Sequence, residues 1–104
     1  MAKSRAYEDG LKEALADPGE AAAYLSAALE DGDPGVFLLA LKDVAAVHGG
    51  IAKVARDARL NRESMYRMLS EKGNPTVASL KVVLRSLGLR LAVTPEKRQR
   101  RTVA

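Results

Sequence analysis

An all-α fold of five or six helices, closed by one short C-terminal β-strand used in dimerisation, is what this 104-residue chain predicts. Three observations carry the expectation. Apolar residues recur at helical spacing through most of the chain. Helix-start chemistry precedes several of those stretches, at Asp17-Pro18, Asp33-Pro34, Asn61 and Thr76. A single run, LRLAV at 89–93, alternates Leu89, Leu91 and Val93 against Arg90 and Ala92. With 47% hydrophobic residues but four aromatics, the core is expected to be Leu, Ala and Val, which suits packed helices.

The elements follow in order. Residues 1–16 are a tail and a short helix, 7–15, with Leu11 and Leu15 inward; Gly10 opposes it by about 1 kcal/mol relative to Ala. DPGE at 17–20 supplies Asp17 as cap, Pro18 at the first helical position and Glu20 reaching back as in a capping box. The helix 18–31 then presents Ala21, Tyr24, Leu25, Ala28 and Leu29, and Gly32 ends it. Asp33 and Pro34 repeat the start signal for a helix to about His48, with Phe37, Leu41, Val44 and Ala45 buried. Gly49 and Gly50 break it.

Two short amphipathic segments come next, and they are the most informative part of the chain. In 51–58 the residues Ile51, Val54, Ala55 and Ala58 form one stripe; in 62–70 Met65, Met68 and Leu69 form another. Arg59, Leu60 and Asn61 join them, with Asn61 as cap. The second segment carries a polar stripe of Arg62, Glu63, Tyr66, Arg67 and Ser70. A bracing helix followed by one offering long polar side chains is the pattern of a helix-turn-helix that reads the DNA major groove. The bland alternative is a solvated face, in which Glu63 and Arg67 form a surface pair worth about 0.2–0.5 kcal/mol. Arg59 stands where such turns usually have Gly, and a side chain in a left-handed conformation costs roughly 1 kcal/mol.

Beyond it, Gly73, Asn74 and Pro75 form a turn and Thr76 caps a helix 77–87 with Val77, Leu80, Leu84 and Leu87 inward. Lys72, Asn74, Thr76 and Lys81 sit where side chains and helix-start N–H groups could hold phosphate oxygens, though plain turn chemistry explains Asn74 equally well. Gly88 ends the helix before the strand 89–93. No second strand-like run exists, so that strand is expected to pair with a copy of itself in a homodimer or to join another protein's sheet. Residues 94–104 are a basic, flexible tail, leaving 17–93 as the folded domain.

Charge is unevenly spread. Residues 1–41 hold three Lys or Arg against eight Asp or Glu, a net −5, whereas 42–104 hold fourteen against five, a net +9. The basic half contains the reading helix, as phosphate binding requires. There is no Cys, hence no disulfide or thiolate metal site, and a reducing cytoplasm fits. His48 is the one histidine and reads as a helix-end residue, so neither metal nor cofactor is expected. The start of the sequence has no apolar signal-type stretch, and no uncharged run approaches the ~18 residues of a membrane span. A soluble, non-enzymatic protein is expected, since no nucleophile–base set, phosphate-cradling loop or inward carboxylate pair is present.

RESMYRMLSEKGNPT at 62–76, LGLRL at 87–91 and YLSAALEDGDP at 24–34 together resemble the addiction-module antidote proteins, HigA-like antitoxins with an Xre/Cro-type helix-turn-helix. The resemblance covers about residues 17–93, with Arg59 in place of the family's usual Gly. It implies an antitoxin of a type II toxin–antitoxin module that silences a RelE/ParE-type (HigB-like) toxin and, as a dimer, represses its own operator. DNA-reading positions carry over onto Arg62, Glu63, Tyr66 and Arg67, with Ser64 as a helix-start contact. No motif marks the toxin-binding surface; the acidic helices 7–31 and the strand 89–93 are rival contacts. The alternatives are a stand-alone Xre-type regulator without a toxin and a protein-binding module in which the helix pair serves packing alone.

Overall fold

The computed structural model describes residues 5–70 and 72–96, with side chains from residue 9 onward. They form six helices and, among the described residues, no strand: α1 (Arg5–Leu15), α2 (Pro18–Leu29), α3 (Pro34–Val47), α4 (Ile51–Ala58), α5 (Arg62–Met68) and α6 (Val77–Ser86). Of the flexible tail expected at 94–104, residues 97–104 lie outside the described residues, as do residues 1–4 at the other end.

The start signals act as their chemistry requires. Asp17 accepts from the Glu20 N–H at 3.0 Å and Asp33 from the Gly35 N–H at 2.9 Å, each followed by its proline. The reciprocal half of the capping box is missing at α2, because the Asp17 N–H already donates to the Ala14 carbonyl at 3.0 Å. α1 runs straight through Gly10, held by Leu15, which is 2% exposed, and by partly buried Leu11. Burial there outweighs the glycine's poor helix propensity.

α3 is the central post. It buries Phe37, Leu38, Ala40, Leu41, Val44 and Ala45 and touches α1, α2 and α4. The chain turns by 90° between α3 and α4 through Gly49 and Gly50, both at positive φ. Fully buried Leu41, Val44, Val54, Met65 and Val83 draw α3, α4, α5 and α6 onto one core. Tyr24 Oη donates to Asp43 Oδ2 at 2.7 Å and fastens α2 to α3. No single helix among the described residues is long and apolar enough to cross a membrane.

Three expectations need correction. Leu29 and Val77 were expected inward and are 56% and 64% exposed, since each sits at a helix end where the core has run out. Val83, unnamed by the periodicity, is fully buried in their stead. The third is the strand 89–93. Leu89 folds back, its N–H reaching the Leu84 carbonyl at 2.8 Å, and beyond it no backbone hydrogen bond joins residues 90–96 to another described segment. Alternation gives a segment two faces, but a strand exists only against a neighbouring strand, and among the described residues of the single chain there is none. The segment instead borders a groove with Leu25, Leu29 and Phe37.

Arg59 adopts φ 60° and ψ 41°, the one described residue other than Gly at positive φ. Its N–H donates to Arg56 at 3.1 Å and the Leu60 N–H to Ala55 at 2.8 Å, the paired bonds of a Schellman cap. The same cap closes α6 with Gly88 in the left-handed position, so here the backbone geometry is ordinary and the residue is not. Arg59→Gly is expected to stabilise the protein by about 0.5–1 kcal/mol, the relief of left-handed strain exceeding the entropy gained by the unfolded chain. Urea denaturation checks this, with Arg59→Val expected to lower stability instead.

Candidate nucleic-acid interface

α5 is too short to be stable alone, and its surroundings hold it. Asn61 lies in extended conformation with its Oδ1 accepting the Ser64 N–H at 2.9 Å. Met65 is 0% and Leu69 2% exposed, while Leu60 and Met68 pack partly buried beside them. The anchored face leaves Arg62, Glu63, Ser64, Tyr66 and Arg67 all exposed. At about 100° per residue, Arg62, Tyr66, Glu63 and Arg67 follow one another around an arc of about 140°. No ion pair joins Glu63 to Arg67; among the described residues the one salt bridge is Lys53–Asp57 at 2.6 Å. The surface-pair reading of the stripe is therefore not realised.

The turn after α5 folds back against it. Ser70 Oγ donates to the Arg67 carbonyl at 2.7 Å, and the Gly73 N–H to the Ser70 carbonyl at 2.8 Å. A methyl group at Gly73 would run into the Met68 carbonyl and lie 3.0 Å from that of Arg67, so a glycine is required by the close approach of two backbones. Thr76 Oγ1 accepts the Ser79 N–H at 3.0 Å and donates to Ser79 Oγ at 3.1 Å, capping α6. This packing brings Ser64, Arg67, Lys72, Asn74, Thr76 and Ser79 around one groove whose apolar floor includes Met65 and Met68.

Of the residues expected at a site, the structure gathers Ser64, Arg67, Asn74 and Thr76 in that groove and places Arg62, Glu63 and Tyr66 on the outer arc of α5. Thr76 is engaged as a cap, whereas Asn74 is exposed. Lys81 does not join them. It lines a separate cleft between the end of α4 and α6, with Arg59 and Arg85. Ser79 was overlooked by sequence reasoning; its place three residues after a threonine cap is the signal that marks it. His48 ends α3, its Nδ1 3.1 Å from the Val44 carbonyl.

The arrangement sets several donors and one acceptor on a single exposed surface. Arg62 and Arg67 offer forked donors that match base edges or phosphates, and Glu63 offers an acceptor. Lys72, Asn74 and the capped start of α6 add further donors around the same groove.

Comparison with known proteins gives a family. The family model described as "Probable addiction module antidote protein" matches residues 8–95. A Haemophilus influenzae protein described as uncharacterized is 36% identical over 81 residues, which span 78% of this chain and 82% of the relative. No solved structure is a significant match. A match running from within α1 to beyond α6 takes in all of the folded core, and the chain belongs to the addiction module antidote family, the antitoxin side of such modules.

Proposed function

We propose that this antitoxin binds the operator of its own operon as a homodimer and represses it, and that its toxin is of the RelE/ParE (HigB-like) type. The observation that carries the DNA reading is α5 itself: a helix capped by Asn61, pinned by Met65, and exposing Arg62, Glu63, Tyr66 and Arg67 outside any ion pair among the described residues. On this reading α4 and α5 form an Xre/Cro-type helix-turn-helix, and the N-terminal end of α5 enters the major groove. Arg62 or Arg67 bonds guanine O6 and N7 bidentately, worth about 1–3 kcal/mol of discrimination. Glu63 accepts from a cytosine amino group or orients an arginine, and Ser64 contacts the duplex at the helix start. Lys72, Asn74 and the N–H groups of the helix start that Thr76 caps fix the register on the phosphates.

Two such helices about 34 Å apart require a roughly palindromic operator. The role is binding rather than catalysis, it needs no cofactor, and its setting is the cytoplasm, where the operator lies. Titration of the promoter fragment and of random DNA against salt tests this. Binding to both should weaken steeply between 50 and 200 mM salt, by about 10³-fold or more if six or more phosphates are contacted, with the promoter always preferred. Equal affinity for the two DNAs at every salt concentration would remove the operator from the proposal.

A further inference from the structure

We propose that the face shared by α2 and α3, centred on Val36 and Leu39, is where the toxin docks, and that it takes a basic protein surface. The inference rests on the antitoxin reading above and names the surface that reading leaves unassigned. α3 is otherwise the most buried helix, yet in its midst Leu39 is 58% and Val36 36% exposed. Standing three apart, they form a ridge between two shallow depressions and line both. One depression reaches across to Ala27 and Tyr24 of α2, and the other to Leu69 behind α5.

The rim decides the partner's chemistry. Asp33 and Lys42 edge one depression and Asp43 alone the other, while Glu30 and Asp31 stand in the connection between the helices, so the acids prevail around the ridge. From residue 24 to 43 there are four acids against Lys42 alone. That sign repels phosphate, so nucleic acid does not cover this ridge. It equally opposes a second copy laid face to face, which would set acid against acid. A basic protein surface with an apolar centre is complementary on both counts. The ridge is also preformed, because the Tyr24–Asp43 hydrogen bond holds α2 on α3. It is built from different residues than the outer arc of α5, so toxin and DNA have separate contact sets.

The test uses the full chain and the protein encoded by the adjacent gene, with affinity measured by calorimetry. Leu39→Lys and Leu39→Glu both remove the apolar centre at an exposed position, and thermal melts confirm that each folds. Leu39→Lys should weaken toxin binding at least about 30-fold and more than Leu39→Glu does, with promoter affinity unchanged. If both variants bind the toxin as wild type does, the docking face is elsewhere and the antitoxin reading stands. A larger loss with Glu than with Lys would overturn the basic partner. A shift in oligomeric state of the toxin-free Leu39→Lys protein by sedimentation would assign the ridge to a second copy and overturn the proposal. Should the wild-type chain itself fail to bind the neighbouring protein, the toxin reading falls and this inference with it.

Discussion

Replacing Arg62 and Arg67 together with Ala is expected to lower affinity for the promoter fragment by about 30-fold at least, while affinity for random DNA falls far less. Each bidentate contact to a guanine contributes roughly 1–3 kcal/mol to discrimination, and the two made by a homodimer, one per subunit at separate half-sites, add. A phosphate contact weakens all sequences alike, so the ratio of the two losses separates base reading from backbone contact. Stability should change by no more than about 0.5 kcal/mol, because both side chains are exposed and neither is in an ion pair among the described residues. Fluorescence anisotropy with labelled promoter and random duplexes measures both affinities. Equal losses on the two DNAs would reassign these arginines to the phosphate backbone.

The largest loss of stability is expected at Met65. Its side chain is fully buried beneath α5 and lies on the floor of the groove that the turn 70–76 completes. Met65→Ala removes its packing and leaves a cavity, a cost of about 2–5 kcal/mol out of a total of about 5–15 kcal/mol for a domain. At roughly 4–8 °C per kcal/mol, the melting temperature should fall by about 10 °C or more. Met65→Leu, close in volume, should cost less than about 1.5 kcal/mol. Calorimetric melts of the three proteins check the order. A melting temperature for Met65→Ala within about 3 °C of wild type would mean that Met65 does not anchor α5.

What the sequence disclosed and what it withheld divide along the range of the interactions. Caps act over three residues, so Asp17, Asp33, Asn61 and Thr76 were legible and each accepts the N–H expected of it. The left-handed conformation of Arg59 was legible for the same reason, as a residue out of keeping with its turn. The periodicity placed Leu25, Leu41, Val54 and Met65 inside, but it misjudged Leu29 and Val77, where the pattern continues past the edge of the core. The strand at 89–93 is not formed in the single chain, because alternation describes a segment and pairing describes two. Likewise the sequence brought Asn74 and Thr76 near α5 only as neighbours in the chain. The groove depends on the turn folding back over the Met68 carbonyl, which Gly73 permits and no local pattern announces. Lys81 went astray for the converse reason: one helical turn carried it to a different cleft.

The separation between the inner and outer faces of α5 has an evolutionary meaning. Positions 62, 63, 66 and 67 lie outside the buried core, so substitutions there weigh little on folding and are free to track changes in a promoter. On the proposed reading, duplicated copies of such a module could become mutually deaf after two or three point changes, each copy heeding its own control region while the scaffold beneath stays the same.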